Sequence, residues 1–126
     1  MRKQDEETVS RPEIILGMEI TEESLPDDIV ADARERWKAG EPRDAMALLL
    51  RGGLYQLVYN QEIPLEDWFT ERECFLVVRK KKPGLLSDYF EQLTFTWERL
   101  AYAHIQPTDD KFEFLCVNWG AVFDAE

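Results

Sequence analysis

Leu86-Ser87-Asp88-Tyr89-Phe90-Glu91-Gln92-Leu93-Thr94-Phe95-Thr96-Trp97-Glu98-Arg99-Leu100-Ala101 carries its apolar side chains three and four residues apart, at Leu86, Tyr89, Phe90, Leu93, Trp97, Leu100 and Ala101. That spacing follows the 3.6-residue helical turn and lays all seven on one stripe. An amphipathic helix of this length needs an apolar partner surface. Gln106-Pro107 is expected to close it.

The neighbouring segments have the same period. Downstream, Asp109 and Asp110 suit a first helical turn starting near Thr108, and Phe112, Leu115, Cys116, Trp119 and Phe123 form its inner face. Upstream, Thr70 and Glu73 make a T-x-x-E capping box before a helix facing inward through Cys74, Val77 and Val78; Pro83-Gly84 stops it. Asn60 to Phe69, with Pro64, is a loop. Before it, Pro42 opens a helix through Ala45, Leu48, Leu49, Leu54, Leu57, Val58 and Tyr59 that is apolar around much of its circumference and therefore central. Gly52-Gly53 in its middle costs about 1 kcal/mol per glycine relative to alanine. Close approach of a neighbour would offset that cost, and a kink is the alternative. A first helix is expected from Ser24 as N-cap, with Pro26, Asp27 and Asp28 in its opening turn, Ile29, Val30, Ala33 and Trp37 on one face, and Gly40 at its end.

The prediction is an all-α, compact bundle of about five helices over residues 24–126. The short link between the first two makes them an antiparallel hairpin. Trp37, Ala39-Gly40 and Ala45 give that hairpin a tetratricopeptide-like turn, although no second repeat is visible. Residues 1–23 form an acidic, mostly irregular segment, within which Glu13 to Ile20 could lie extended against the domain.

The net charge of −11 is uneven, with nine acids against three bases in residues 1–28. An acidic surface repels phosphate backbones, which argues against nucleic acid. No run of 18 apolar residues exists, so nothing here spans a bilayer as a helix, and no apolar signal-peptide core lies near the start.

Residues suited to chemistry are few. His104 is the sole histidine and could in principle activate Cys74 or Cys116, the two cysteines. Both cysteines fall on apolar stripes, which favours buried thiols in a reducing compartment; sequence leaves a disulfide between them open. His104 is adequately explained as a capping or surface residue at the negative end of the long helix, which outweighs the dyad reading. Paired ligand spacing such as C-x-x-C, calcium loops, serine elbows and glycine-rich phosphate loops are all lacking. No catalytic residue, metal ligand or cofactor is therefore expected.

Two groups remain as surface candidates. Tyr55, Phe95 and Tyr102 fall off the main stripes, and Trp68-Phe69 sits in a loop; together they are either gap-fillers or a docking patch. Arg79-Lys80-Lys81-Lys82 could touch anionic lipid headgroups, or simply complement the carbonyls of a last helical turn.

Ala33-Arg34, Trp37, Gly40, Arg43, Ala45, Leu49, Arg51-Gly52 and Leu54 resemble the opening hairpin of a known family. Thr70-Glu71, Glu73-Cys74 and Val78-Arg79 resemble its third helix. Tyr89-Phe90, Leu93-Thr94, Trp97 and Ala101-Tyr102 resemble the fourth, and Phe112, Leu115-Cys116, Trp119 and Phe123 the last. The family is the domain of unknown function at the C-terminus of bacterial transglutaminase-like membrane proteins, also named the protein-glutamine gamma-glutamyltransferase-like C-terminal domain. The resemblance spans residues 24–124; Ala103 stands where glycine is more usual, and the segment before Pro107 lacks an expected arginine. It implies a domain on the cytoplasmic side of the membrane, following a transmembrane segment, in a bacterial or archaeal protein. Arg2 and Lys3 suit a juxtamembrane position. It carries no catalytic residue onto this chain, and implies another protein as partner, such as a component of a MoxR-type ATPase system. The expectation is a non-catalytic interaction or regulatory module. The alternatives are a Cys–His hydrolase or transferase and a structural spacer for the membrane protein.

Overall fold

The computed structural model describes residues 11–123. The expectations attached to Arg2, Lys3 and the rest of residues 1–10, and to residues 124–126, lie outside it. The apolar stretch expected to lie extended is a small hairpin. Strand β1 (Ile14–Ile15) pairs antiparallel with β2 (Met18–Glu19), and Leu16 and Gly17 turn between them with φ of 56° and 74°. Positive φ at both central residues is what a two-residue hairpin of right-handed twist requires. Ile15 and Ile20 are fully buried and anchor this segment to the helices.

The first helix starts later than expected. Ser24 ends a short 3-10 turn (Glu22–Ser24), where its hydroxyl donates to the Thr21 carbonyl at 2.8 Å. Leu25, preceding Pro26, is held extended at φ −111°, ψ 143°, as the proline ring demands. The cap is Asp28, whose carboxylate accepts from the Ala31 N–H at 3.0 Å, so α1 runs Ile29–Lys38 and Asp27 and Asp28 precede it.

Helix α2 (Pro42–Tyr55) opens on its proline as predicted. It does not continue as α-helix to Tyr59: Gln56–Asn60 widen into a π turn. The glycine pair serves close approach. A Cβ on Gly52 would stand 3.0 Å from three side-chain atoms of Ile29, and one on Gly53 would stand 3.3 Å from Phe123 and 3.5 Å from Leu93. Neighbours therefore press on α2 from two sides at the level where it lacks side chains.

Helix α3 (Glu71–Lys81) begins with the predicted capping box: Thr70 Oγ1 accepts from the Glu73 N–H at 3.1 Å and Glu73 Oε1 from the Thr70 N–H at 2.8 Å. Helix α4 (Leu85–Ala103) is the longest and stops before Gln106-Pro107. His104 adopts left-handed φ and ψ of 58° and 34°, and the Ile105 N–H reaches back to the Arg99 carbonyl at 2.9 Å. That cap satisfies an end carbonyl without waiting for the proline. Thr108 Oγ1 accepts from the Lys111 N–H at 3.1 Å and starts α5 (Asp109–Phe123).

The five helices form an all-α bundle with α2 at its centre, packed against α1, α4 and α5, while α3 lies on α4. Leu48, Leu49, Leu50, Leu54 and Leu57 are essentially fully buried, each contributing about 1.5–3 kcal/mol of hydrophobic stabilisation. Two buried ring donors find carbonyl partners: Trp119 Nε1–H donates to the Leu49 carbonyl at 3.0 Å and the Tyr89 hydroxyl to the Leu115 carbonyl at 2.8 Å. Among the described residues, no helix is long and apolar enough to cross a membrane.

Candidate functional site

The residues with nucleophilic potential lie deep in the bundle. Cys74 and Cys116 are free thiols with almost no exposed surface. Burial pushes Cys74 up to about 12, helped by the charges of Glu71 and Glu73. Burial also pushes Cys116 up to about 11, against the opposing pull of the Arg34 cation. A nucleophilic thiol needs the reverse, a stabilised thiolate open to substrate. His104 sits exposed in the left-handed cap after α4. Among the described residues, no group of three histidine, cysteine or carboxylate side chains converges as a metal would require.

The five aromatic candidates sit on three separate elements. Tyr55, at the end of α2, is half-buried against the core and stacks on Tyr59 with ring centroids 5.0 Å apart. Trp68 is 69% exposed and meets Phe69 edge-on at 4.7 Å, while Phe69 packs against the core. Phe95 and Tyr102, seven residues apart, share the outer face of α4. The Arg99 guanidinium lies 5.4 Å from the Phe95 ring. Tyr102 is committed to the fold: its hydroxyl donates to Glu71 Oε2 at 2.7 Å. That bond, with burial second, raises the Tyr102 pKa, and burial plus the Glu71 charge raises that of nearby Glu98. Arg79, Lys80, Lys81 and Lys82 are all exposed at the end of α3.

A concave apolar surface lies elsewhere, between the outer faces of α4 and α5. It is a groove of about 710 Å³ walled by Leu85, Leu86 and Tyr89 on one side and Phe114, Ala121 and Val122 on the other. Of these, Leu85 is 83% exposed and Phe114 49%. Asp88 and Glu91 stand along the α4 wall, with Lys82 at one end. At the margin, Lys111 lies 5.0 Å over the Phe114 ring and hydrogen-bonds Gln92.

Leu85, Phe114 and Val117 were absent from the sequence candidates. Their signal was nonetheless present in α5. Phe112, Leu115, Cys116, Trp119 and Phe123 fill the core, yet Phe114, Val117, Ala121 and Val122 make a second apolar stripe. A helix apolar on two sides calls for two partner surfaces, and the bundle supplies one. Comparison with protein-family models, curated proteins and solved structures returns no match for this chain.

Proposed function

We propose that this chain is a non-catalytic interaction module that binds a segment of another protein in the α4–α5 groove. The observation that carries this reading is the second apolar stripe of α5, left open beside Leu85 and Leu86. Large side chains are rarely left in water in such a continuous run without a partner. The chain's own ends are poor occupants. Residues 1–10 offer only Met1 and Val9 as apolar side chains, and residues 124–126 only Ala125. A second copy would set Asp88 and Glu91, and a charge of −11, against their equals. An amphipathic segment whose apolar stripe is flanked by lysine or arginine meets both the lining and the charge.

The resemblance described above adds a setting: the cytoplasmic side of a bacterial or archaeal membrane protein, with another protein as partner. The tetratricopeptide-like sequence of the first hairpin fits a binding role. The non-catalytic reading is supported by both thiols being buried with raised pKa values, which disfavours the Cys–His hydrolase alternative. The test is affinity capture with the intact chain and with Phe114→Glu/Ala121→Glu, both folded. A basic amphipathic partner held by the first and lost by the second supports the reading. Identical recovery with both overturns it, and leaves the spacer alternative.

A further inference from the structure

Between Glu73 and Asp88 the chain carries no carboxylate, while Arg79, Lys80, Lys81 and Lys82 fall in succession. The structure places these four at the tip of the α3–α4 turn, and every residue from 79 to 85 is exposed. Among the described residues, none of the four side chains pairs with a carboxylate or donates a hydrogen bond. The Arg79 guanidinium lies 5.3 Å from the Phe75 ring, and Lys82 stands at one end of the groove. Complementing the end of α3 requires little of this charge, because a helix C-terminus carries about half a negative elementary charge. Three residues further on, Leu85 is the most exposed large apolar side chain among the described residues, at 83%.

A run of four exposed cations followed three residues later by an exposed leucine matches the two layers of a bilayer surface: anionic headgroups outside, acyl chains beneath. We infer that the α3–α4 turn is a contact site for an anionic lipid surface, with Lys80, Lys81 and Lys82 against the headgroups and Leu85 entering the interface. The net acidity of the chain does not cancel this local attraction. Glu73 lies roughly 10 Å from Lys80 along the axis, at 1.5 Å per residue, beyond a Debye length of about 8 Å at physiological salt. Asp88, the nearest carboxylate along α4, stands on the groove wall. Lys82 and Leu85 border the groove as well as the tip, so a protein segment in the groove and a bilayer at the tip would compete for them, whereas Lys80 and Lys81 serve the tip alone.

Sedimentation of the 126-residue chain with vesicles tests it directly, using equal parts phosphatidylglycerol and phosphatidylcholine against phosphatidylcholine alone. Binding to the anionic vesicles that weakens with added salt is expected, with little to the neutral ones. Each cation removed should weaken binding about fivefold, the equivalent of about 1 kcal/mol. The triple variant Lys80→Gln/Lys81→Gln/Lys82→Gln should therefore lose on the order of 100-fold. Leu85→Ser should lose about tenfold even at high salt, where apolar burial persists. All these positions are exposed, so the far-ultraviolet circular dichroism of the variants should match the parent. Equal binding to neutral vesicles, no binding to anionic ones, or full binding by the triple variant overturns the inference. So does a polyglutamate peptide bound as tightly as the vesicles, which would assign the tip to an acidic protein partner.

Discussion

The Trp37 indole lies flat on the Phe112 ring, with centroids 4.2 Å apart and planes 6° from parallel. Its Nε1–H donates to Asp109 Oδ1 at 2.9 Å, and one turn away Arg34 pairs with Glu113 at 2.6 Å. The last turn of α1 is thereby clamped to the first turn of α5, elements seventy residues apart in sequence. The stack is the stronger part of the clamp, because the Arg34–Glu113 pair is substantially solvent-exposed and screened.

Trp37→Phe should keep the ring contact and lose the indole hydrogen bond, costing about 1 kcal/mol. Trp37→Ala should lose both and cost about 2–3 kcal/mol, since aromatic pairing adds about 0.5–1.5 kcal/mol to area burial. Urea unfolding of the two variants separates the contributions. Equal losses would mean that the stack adds nothing.

At Gly52 two effects oppose each other. Alanine would gain about 1 kcal/mol of helix propensity. However, its Cβ would meet three Ile29 atoms at 3.0 Å, and overpacking costs about 1–3 kcal/mol. Gly52→Ala is expected to destabilise the chain by about 1 kcal/mol, with Ile29→Ala in the same chain removing the clash. A double-mutant cycle in urea should give a favourable coupling, and strict additivity would refute the close approach.

The thiols supply a pH signature. Folded Cys74 and Cys116 keep their protons up to about 12 and about 11, whereas their ordinary value is 9.0. Their contribution to stability is complete below pH 9 and is lost as pH rises toward 12, because the unfolded chain releases those protons first. Thermal melts should decline across that window, and Cys74→Ala should flatten the decline. At pH 8, a thiol reagent should label native chain far more slowly than denatured chain. Rapid labelling of the native form would mean an accessible thiolate and would revive the hydrolase alternative.

On α5, neighbouring positions should behave oppositely. Phe114→Glu and Ala121→Glu face the groove and should each shift stability by no more than about 0.5 kcal/mol. Leu115→Ala, one residue along and fully buried, should cost about 2–5 kcal/mol. Calorimetry of the three variants checks which stripe belongs to the core.

The helices, the Thr70 capping box and Pro42 at a helix start were legible because each rests on residues within a turn or two of one another. The start of α1 was misplaced because Ser24 and Asp28 are both good caps. Pro26 keeps Leu25 out of a helical conformation, and Arg51 on α2 holds that extended segment by donating to the Ser24 carbonyl at 2.7 Å and the Glu19 carbonyl at 2.8 Å. The π turn after Tyr55 likewise had no local marker.

Periodicity alone determined an all-helical chain with a central second helix, since burying an apolar stripe is a demand each segment carries within itself. The inner face of α5 was legible too, and only the tertiary structure decided that its second apolar stripe would find no cover. It also decided that Gly52 makes room for Ile29 and that Leu85 is left 83% exposed. Coverage depends on which distant segments arrive, and one helix can satisfy only as many of its faces as the bundle has neighbours to offer.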